Sequence, residues 1–222
     1  MSSQLSGASP RAARQPACDP DMDSRHPDAG PLARRQWLVA SALAVAGGWH
    51  RSAAAHESAG PVSPRLAAPS GLRLSTTDGQ AALLPDLLKG HVTAVQLMFT
   101  GCSATCPIQG AIFADAQARL ASTDKHLRLL SISIDPLNDD AAALSRWLAR
   151  FGAQRARWAA AAPTMQALDP MLDFLRGRAA GVDRHTAQAY LFDRQGRLAF
   201  RTVDMPPGGD LVRLMQALSA AG

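Results

Sequence analysis

The feature that most constrains this fold is an apolar run that ends in two cysteines one helical turn apart. The run from Val92 to Phe99 is long enough for a buried strand, and Cys102, Cys106 and Pro107 follow it. Proline suits the first turn of a helix, where its missing N–H has no intrahelical partner. The sequence therefore predicts a strand, a short cysteine loop and a helix that runs to about Leu120.

The remaining apolar patterns predict an alternation of strands and helices. We expect a short hairpin over residues 72–84 and a strand at 127–134. Two helices should follow, one from a cap at Asn138 to Phe151 and one at 164–176. A hairpin of strands 189–192 and 198–202 and a last helix at 211–218 complete the chain. This order predicts an α/β, thioredoxin-like fold in a single domain, with an N-terminal hairpin and a helical insertion.

The N-terminal quarter of the chain has a different composition. Residues 1–55 form a polar leader followed by an export signal or membrane anchor, residues 56–70 a Pro/Ala/Ser-rich linker, and residues 71–222 the folded domain. The uncharged stretch from Trp37 to Trp49 is shorter than the ~20 residues that span a bilayer, which favours cleavage over anchoring.

The leader also indicates a compartment. Arg34-Arg35-Gln36-Trp37-Leu38 looks like a twin-arginine signal, although general export signals are also basic at this position. Four aspartates in the leader argue against a mitochondrial presequence. We expect a bacterial periplasmic protein, exported or tethered to the inner membrane, that contacts the membrane only through its N-terminal segment; Met1 and Met22 are alternative starts.

The charge of the chain argues against nucleic acid as a partner. Residues 56–222 carry 17 basic and 14 acidic side chains, without a dense basic run or aromatic residues interleaved with it.

The cysteine count points to a working pair of thiols. The third cysteine, Cys18, lies in the leader, so the exported part contains only Cys102 and Cys106. A domain of this size does not need a disulfide for stability, so the pair is more typical of redox chemistry or metal binding. A simple buried disulfide is the alternative.

One histidine is expected near these thiols. His91 and His126 precede parallel strands and belong at the far end of the sheet, and His56 lies in the linker. His185 precedes a strand that runs antiparallel in such a sheet, so it belongs at the cysteine end. Two thiolates and one imidazole suit Cu(I) or Cu(II), whereas a structural zinc site needs a fourth protein ligand. The alternative for His185 is an ordinary loop residue.

Asp135 is a further candidate, because it ends a strand at the same end of the sheet. It is expected to support the metal ligands without binding the metal itself. The alternative is that it is an ordinary turn residue ahead of Pro136.

Three motifs together resemble the SCO/SenC family over residues 70–220. They are Phe99-Thr-Gly-Cys102-Ser-Ala-Thr-Cys106-Pro107, Ser131-Ile-Ser-Ile-Asp135-Pro136, and Asp183-Arg-His185-Thr with the following Tyr190-Leu-Phe-Asp193-Arg-Gln-Gly196. The resemblance implies a thioredoxin-like fold in which Cys102, Cys106 and His185 bind copper. It also implies a metallochaperone that delivers copper to the binuclear copper centre of cytochrome c oxidase, or reduces the cysteines of that centre, with other periplasmic copper chaperones as further partners.

Two positions depart from the family pattern. Many members have an aspartate between the cysteines, where this chain has Ser103, Ala104 and Thr105, and Arg184 precedes the histidine. Both changes remove negative charge, which favours Cu(I) over Cu(II) or a redox role. A thiol-disulfide oxidoreductase with Cys102 and Cys106 as its redox pair, and a copper or redox sensor, are the alternative functions. A peroxide-scavenging relative is disfavoured, because it needs only one activated cysteine.

Overall fold

A computed structural model describes residues 59–179 and 185–222. The strands are β1 (Gly60–Ala67), β2 (Arg73–Thr76), β3 (Ala81–Leu83), β4 (Val92–Met98), β5 (Leu127–Ser133), β6 (Trp158–Pro163), β7 (Ala189–Phe192) and β8 (Arg197–Arg201). The helices are α1 (Leu84–Leu88), α2 (Thr105–Arg119), α3 (Ala141–Arg150), α4 (Met165–Leu175) and α5 (Gly208–Ala220).

All eight strands form one sheet, in the order β1-β8-β7-β4-β5-β6-β2-β3. Strands β4, β5 and β6 are parallel, β7 is antiparallel to β4, and β8 is antiparallel to β7. The last residues of β4, β5, β6 and β8 therefore meet the first residues of β7 at one end of the sheet. We call this the cysteine end, because the loop with Cys102 and Cys106 follows β4 there.

The sheet is covered on both faces. Every residue of β4 is buried, and its side chains alternate between two apolar cores. One core packs Met98 against Phe113 of α2 and Trp147 of α3, and the other packs Leu97 against Met171 of α4. A central strand buried on both faces requires the continuous apolar run found in the sequence.

The predicted thioredoxin-like fold is confirmed. The hairpin of β2 and β3, the strand–helix–strand order around the cysteine loop, the inserted helices, the hairpin of β7 and β8 and the final helix all appear in the expected order. The described residues belong to one compact unit.

The linker prediction is wrong for residues 60–67, which form β1 and pair with β8. Pro61 and Pro64 lie in this strand without breaking the sheet, because β1 is an edge strand with no further strand beside it among the described residues. Gly60 is paired with Arg201, so the chain enters the domain at the cysteine end.

Two further local details differ from expectation. Strand β6 was not predicted, because its alanines at 159–162 lack the β-branched side chains typical of strands. The segment becomes a strand because it lies between β5 and β2, which both pair with it. Helix α3 is capped by Asp140, which accepts from the Ala143 backbone at 2.7 Å, and not by Asn138. The Asn138 amide donates instead to the Asp135 carboxylate.

The predictions for the leader, the export signal and the start of translation fall outside the described residues. Within residues 59–179 and 185–222, no helix is long and apolar enough to cross a membrane.

Candidate functional site

The cysteine loop places both sulfurs at the start of helix α2. Cys106 lies in the first turn of the helix and is fully buried, and Cys102 is 6% exposed. Both are thiols and not a disulfide. The Cys106 backbone N–H donates to Cys102 Sγ at 3.4 Å, so Cys102 uses one of the donors that a helix leaves unpaired at its N-terminus.

His185 lies beside this pair, although 79 residues separate it from Cys106 in the sequence. Its Nε2 atom is 3.8 Å from Cys106 Sγ, and the side chain is 4% exposed. Its Nδ1 atom is 2.9 Å from the Thr186 carbonyl oxygen. Because a carbonyl oxygen only accepts hydrogen bonds, Nδ1 is the donor in this contact, and Nε2 is the ring nitrogen that faces Cys106.

The backbone around His185 is held from two sides. His185 forms an antiparallel bridge with Arg178, and the Thr186 N–H donates to the Gly177 carbonyl at 2.9 Å. Only glycine fits at position 177 without a shift of its neighbours, because a Cβ there would lie 2.6 Å from Leu97 Cδ1. The Thr186 hydroxyl also hydrogen-bonds the Tyr190 hydroxyl. Burial raises the pKa of Tyr190 to about 12, so its phenol keeps its proton at physiological pH.

A buried carboxylate that the sequence reasoning missed anchors the cysteine loop. Asp139 is 2% exposed and accepts hydrogen bonds from the Thr100 backbone at 3.0 Å, from the Thr100 hydroxyl, and from Ser133 Oγ at 2.6 Å. It thereby ties the loop after β4 to the end of β5. The sequence offered one signal for this role of Asp139, because the residue lies four positions after Asp135 in the same loop that follows β5.

Asp135 lies at the cysteine end, as its strand predicts, but its carboxylate binds within its own turn. It accepts from Asn138 Nδ2 at 2.8 and 3.0 Å, and its N–H donates to Ser133 Oγ. Its supporting role for the ligands stays a prediction.

The structure separates His91 and His126 from the site, and His56 lies outside the described residues. His91 precedes β4 and His126 precedes β5, at the far end of both strands. Burial lowers the pKa of His91, whose Nδ1 lies 3.3 Å from the Lys89 carbonyl oxygen. Asp183 and Arg184, which the resemblance places beside His185, lie outside the described residues.

The candidate ligands do not form a compact three-residue cluster among the described residues. Across residues 59–179 and 185–222, no three histidine, cysteine or acidic side chains are grouped closely enough to hold a metal as they stand. Cys106 and His185 form a facing pair, and the Cys102 sulfur is occupied by the Cys106 N–H.

Comparison with known proteins identifies the family. A family model described as SCO1/SenC matches residues 72–206, more than half of the chain. The chain belongs to the SCO1/SenC family. The SCO1 protein homolog of Bacillus subtilis (strain 168) is 32% identical over 81 residues, which are 36% of this chain and 42% of that protein. The chain thus matches less than half the length of this curated relative.

Solved structures of SCO1/SenC proteins share the fold. A SCO1/SenC family lipoprotein of Bacillus anthracis has a TM-score of 0.59 at 22% identity, covering 72% of this chain and 97% of its own. Copper-bound ScoI of Bradyrhizobium japonicum has a TM-score of 0.56 at 20% identity, covering 68% and 99%. BsSco, a Sco family cytochrome c oxidase assembly protein with an identified disulfide switch, has a TM-score of 0.57 at 22% identity, covering 72% and 99%.

Proposed function

We propose that this protein binds one copper ion through Cys102, Cys106 and His185 and acts in the assembly of cytochrome c oxidase. It delivers copper to the binuclear copper centre of the oxidase, or reduces the cysteines of that centre. The export-signal pattern in residues 1–55 supports a location in the bacterial periplasm, by export or by tethering to the inner membrane.

The observation that carries this proposal is the 3.8 Å separation of Cys106 Sγ and His185 Nε2. Thiolate and imidazole bind soft transition metals at about 2.0–2.3 Å, as zinc sites illustrate. A single ion bound by both atoms at a roughly trigonal angle therefore fits this separation. The other ring nitrogen of His185 donates to a carbonyl, which is the usual support of a metal-binding histidine.

The kind of ligands favours copper over zinc. Cu(I) accepts two or three soft ligands, and two cysteines and one histidine supply three. A structural zinc site takes four protein ligands, which is one more than this set provides. Copper-bound ScoI of Bradyrhizobium japonicum, which shares the fold, supports the same choice.

Anaerobic titration of the full-length protein with Cu(I) tests the proposal. We expect one tightly bound ion per chain, and its loss from the Cys102→Ser/Cys106→Ser double variant. The Cys18→Ser variant is the matched control, since that cysteine lies in the leader. Equal copper binding by the double variant and the control would disprove the metal site.

A second candidate function, thiol-disulfide exchange, is favoured by the different exposure of the two sulfurs. Cys102 is the more exposed of the two residues and accepts a hydrogen bond from the Cys106 N–H. Its thiolate attacks a partner disulfide, releasing one partner thiol and forming a mixed disulfide. The Cys106 thiolate then attacks Cys102 and releases the second thiol, so the partner gains two electrons and two protons while Cys102 and Cys106 become a disulfide. A periplasmic dithiol reductant restores the pair.

Trapping separates the two candidates. The Cys106→Ser variant, mixed without metal with the disulfide form of the oxidase copper-centre domain, is expected to accumulate a mixed disulfide through Cys102. The Cys102→Ser variant should accumulate none. Equal amounts of mixed disulfide with both variants would disprove the assigned order of attack. No mixed disulfide with either variant would disprove thiol exchange.

A further inference from the structure

The apolar side chains that this protein exposes are gathered around the candidate site. Among the described residues, the exposed large hydrophobic side chains are Ile108, Leu137, Met165, Val203 and Leu66, between 40 and 77% exposed. The first four follow the cysteine loop, β5, β6 and β8 respectively, so they lie at the cysteine end. Leu66 is paired with Leu198 near the other end of β8. We call the first four the apolar collar.

A groove connects the collar to the site. It has a volume of about 440 Å³, and Leu137, Met165 and Phe99 line it. Phe99 forms the wall shared with the site, since its ring meets the His185 ring edge-on at 6.2 Å. Exposed apolar patches of this kind mark binding surfaces, and the Phe99 side chain lies between this one and His185.

The cation in the groove lining is already paired. Arg178 donates to Asp169 at 2.7 Å and to Asp173 at 3.0 Å. Asp135 accepts from the neutral Asn138 amide and keeps its negative charge. Peripheral binding to anionic lipid needs exposed, uncommitted cations, which this lining does not supply. The groove is therefore suited to an apolar protein surface that carries no acidic side chains.

The burial of the ligands requires direct contact with that surface. Cys106 and His185 are almost completely buried, so an acceptor must bring its own donor atoms to the mouth of the site. The chain outside the described part joins the domain beside Gly60, which is paired with Arg201 at this same end. The uncharged stretch ends at Trp49, about 40 Å of extended chain or less from Gly60. In the tethered alternative, the leader keeps the cysteine end within reach of proteins at the membrane surface.

We propose that the apolar collar is the docking surface for a protein that presents its own cysteine or histidine copper ligands within an apolar patch at the membrane surface. This inference rests on the proposed function and adds the surface through which it operates. The collar excludes water around the mouth of the site while the ion or the electrons pass between the two proteins.

Charged substitutions in the collar test this inference on the full chain. The variants Leu137→Glu and Met165→Glu are compared with Leu66→Glu, an exposed apolar residue at the other end. Each is loaded anaerobically with Cu(I) and mixed with the metal-free, reduced copper-centre domain of cytochrome c oxidase. We expect both collar variants to weaken association by about tenfold or more and Leu66→Glu to match the unmodified protein.

Two further measurements separate the outcomes. Competition with a Cu(I) chelator should give the same copper affinity for all three variants. If the unmodified protein does not bind copper in this assay, the proposed function is disproved. Sedimentation with phosphatidylethanolamine–phosphatidylglycerol vesicles should not distinguish the collar variants from Leu66→Glu. Weaker vesicle binding by the collar variants would make the collar a lipid surface and overturn the proposal. So would equal association of all variants with the oxidase domain, or none by the copper-loaded unmodified protein.

Discussion

The two ends of the sheet hold their buried carboxylates in different ways. At the far end, Asp193 accepts from Arg65 at 3.0 Å and from Arg197 at 2.9 Å, and backbone N–H groups complete its bonds. At the cysteine end, the donors to Asp139 are Thr100 and Ser133, two neutral residues. The far end therefore uses its carboxylate to close a turn, whereas the cysteine end uses its carboxylate to position a loop that carries reactive thiols.

Histidines differ between the two ends in the same way. His91 at the far end is partly exposed and lies against a nearby backbone carbonyl, whereas His185 is buried with Nε2 directed at a sulfur. Reactive side chains are thus gathered at the cysteine end, whereas ion pairs to a buried carboxylate hold the far end. Substitutions at corresponding positions of the two ends test this difference.

The largest effect is expected from the histidines. His185→Ala removes a ligand and should lower copper affinity by at least about 100-fold, since even residues that support ligands contribute 10–100-fold. His91→Ala should leave the affinity unchanged. Competition titration against a Cu(I) chelator measures both, and equal affinities would remove His185 from the ligand set.

The next effect concerns stability at the far end. Asp193→Ala leaves Arg65 and Arg197 without their carboxylate and should lower the free energy of unfolding by about 2 kcal/mol. Urea unfolding measures this change. Copper affinity should stay the same, and a parallel loss of copper binding would show that the two ends are coupled.

The contribution of Asp193 should depend on pH. Burial by itself raises its pKa, but hydrogen bonds from the Arg197 backbone and from both guanidinium groups hold the pKa below its ordinary value of 3.8. Because the pKa is lower in the folded state, the stabilisation is present above pH 3.8 and is lost as the pH falls through the folded-state value. The stability difference between the unmodified protein and Asp193→Ala should therefore shrink in acid. A constant difference from pH 7 to pH 3 would contradict this.

A smaller effect is expected from Asp139→Asn. The amide group turns one acceptor into a donor facing Thr100 and Ser133, which should loosen the cysteine loop and lower copper affinity by about tenfold. Asp135→Asn is the matched control at the same end. A larger loss from Asp135→Asn would favour the sequence-based prediction for Asp135 over the assignment of Asp139.

The smallest effect is expected from Tyr190→Phe. Removing this hydroxyl takes a hydrogen bond from Thr186 and should reduce stability by about 1 kcal/mol. Thr186→Val should have a similar effect, and the double variant should cost little more than either single change, because both remove the same bond. Thermal and urea unfolding of the three variants measure this, and additive losses would show that the two hydroxyls act separately.

Much of the fold was accessible from sequence because its signals are local. The fully apolar β4, Pro107 at the start of α2, and the Asp193–Gly196 turn each act within a few residues. Strand β1 was not accessible, since a segment with Pro61 and Pro64 becomes a strand only when β8 offers a free edge. Asp139 was missed for a similar reason, because Asp135, Asp139 and Asp140 follow one strand and only packing decides which is buried.

The local sequence indicates that two thiols lie four residues apart between a buried strand and a helix, because the signals for both elements act within a few residues. It also located His185 at the correct end, once the order of strands was inferred. The tertiary structure was needed to bring Nε2 of His185 to 3.8 Å from Cys106 Sγ, to place Asp139 against the loop, and to gather four apolar residues distant in sequence at the same end of the sheet. These arrangements depend on strand pairing across the whole sheet, which involves residues far apart in the sequence and is therefore not visible in any local pattern.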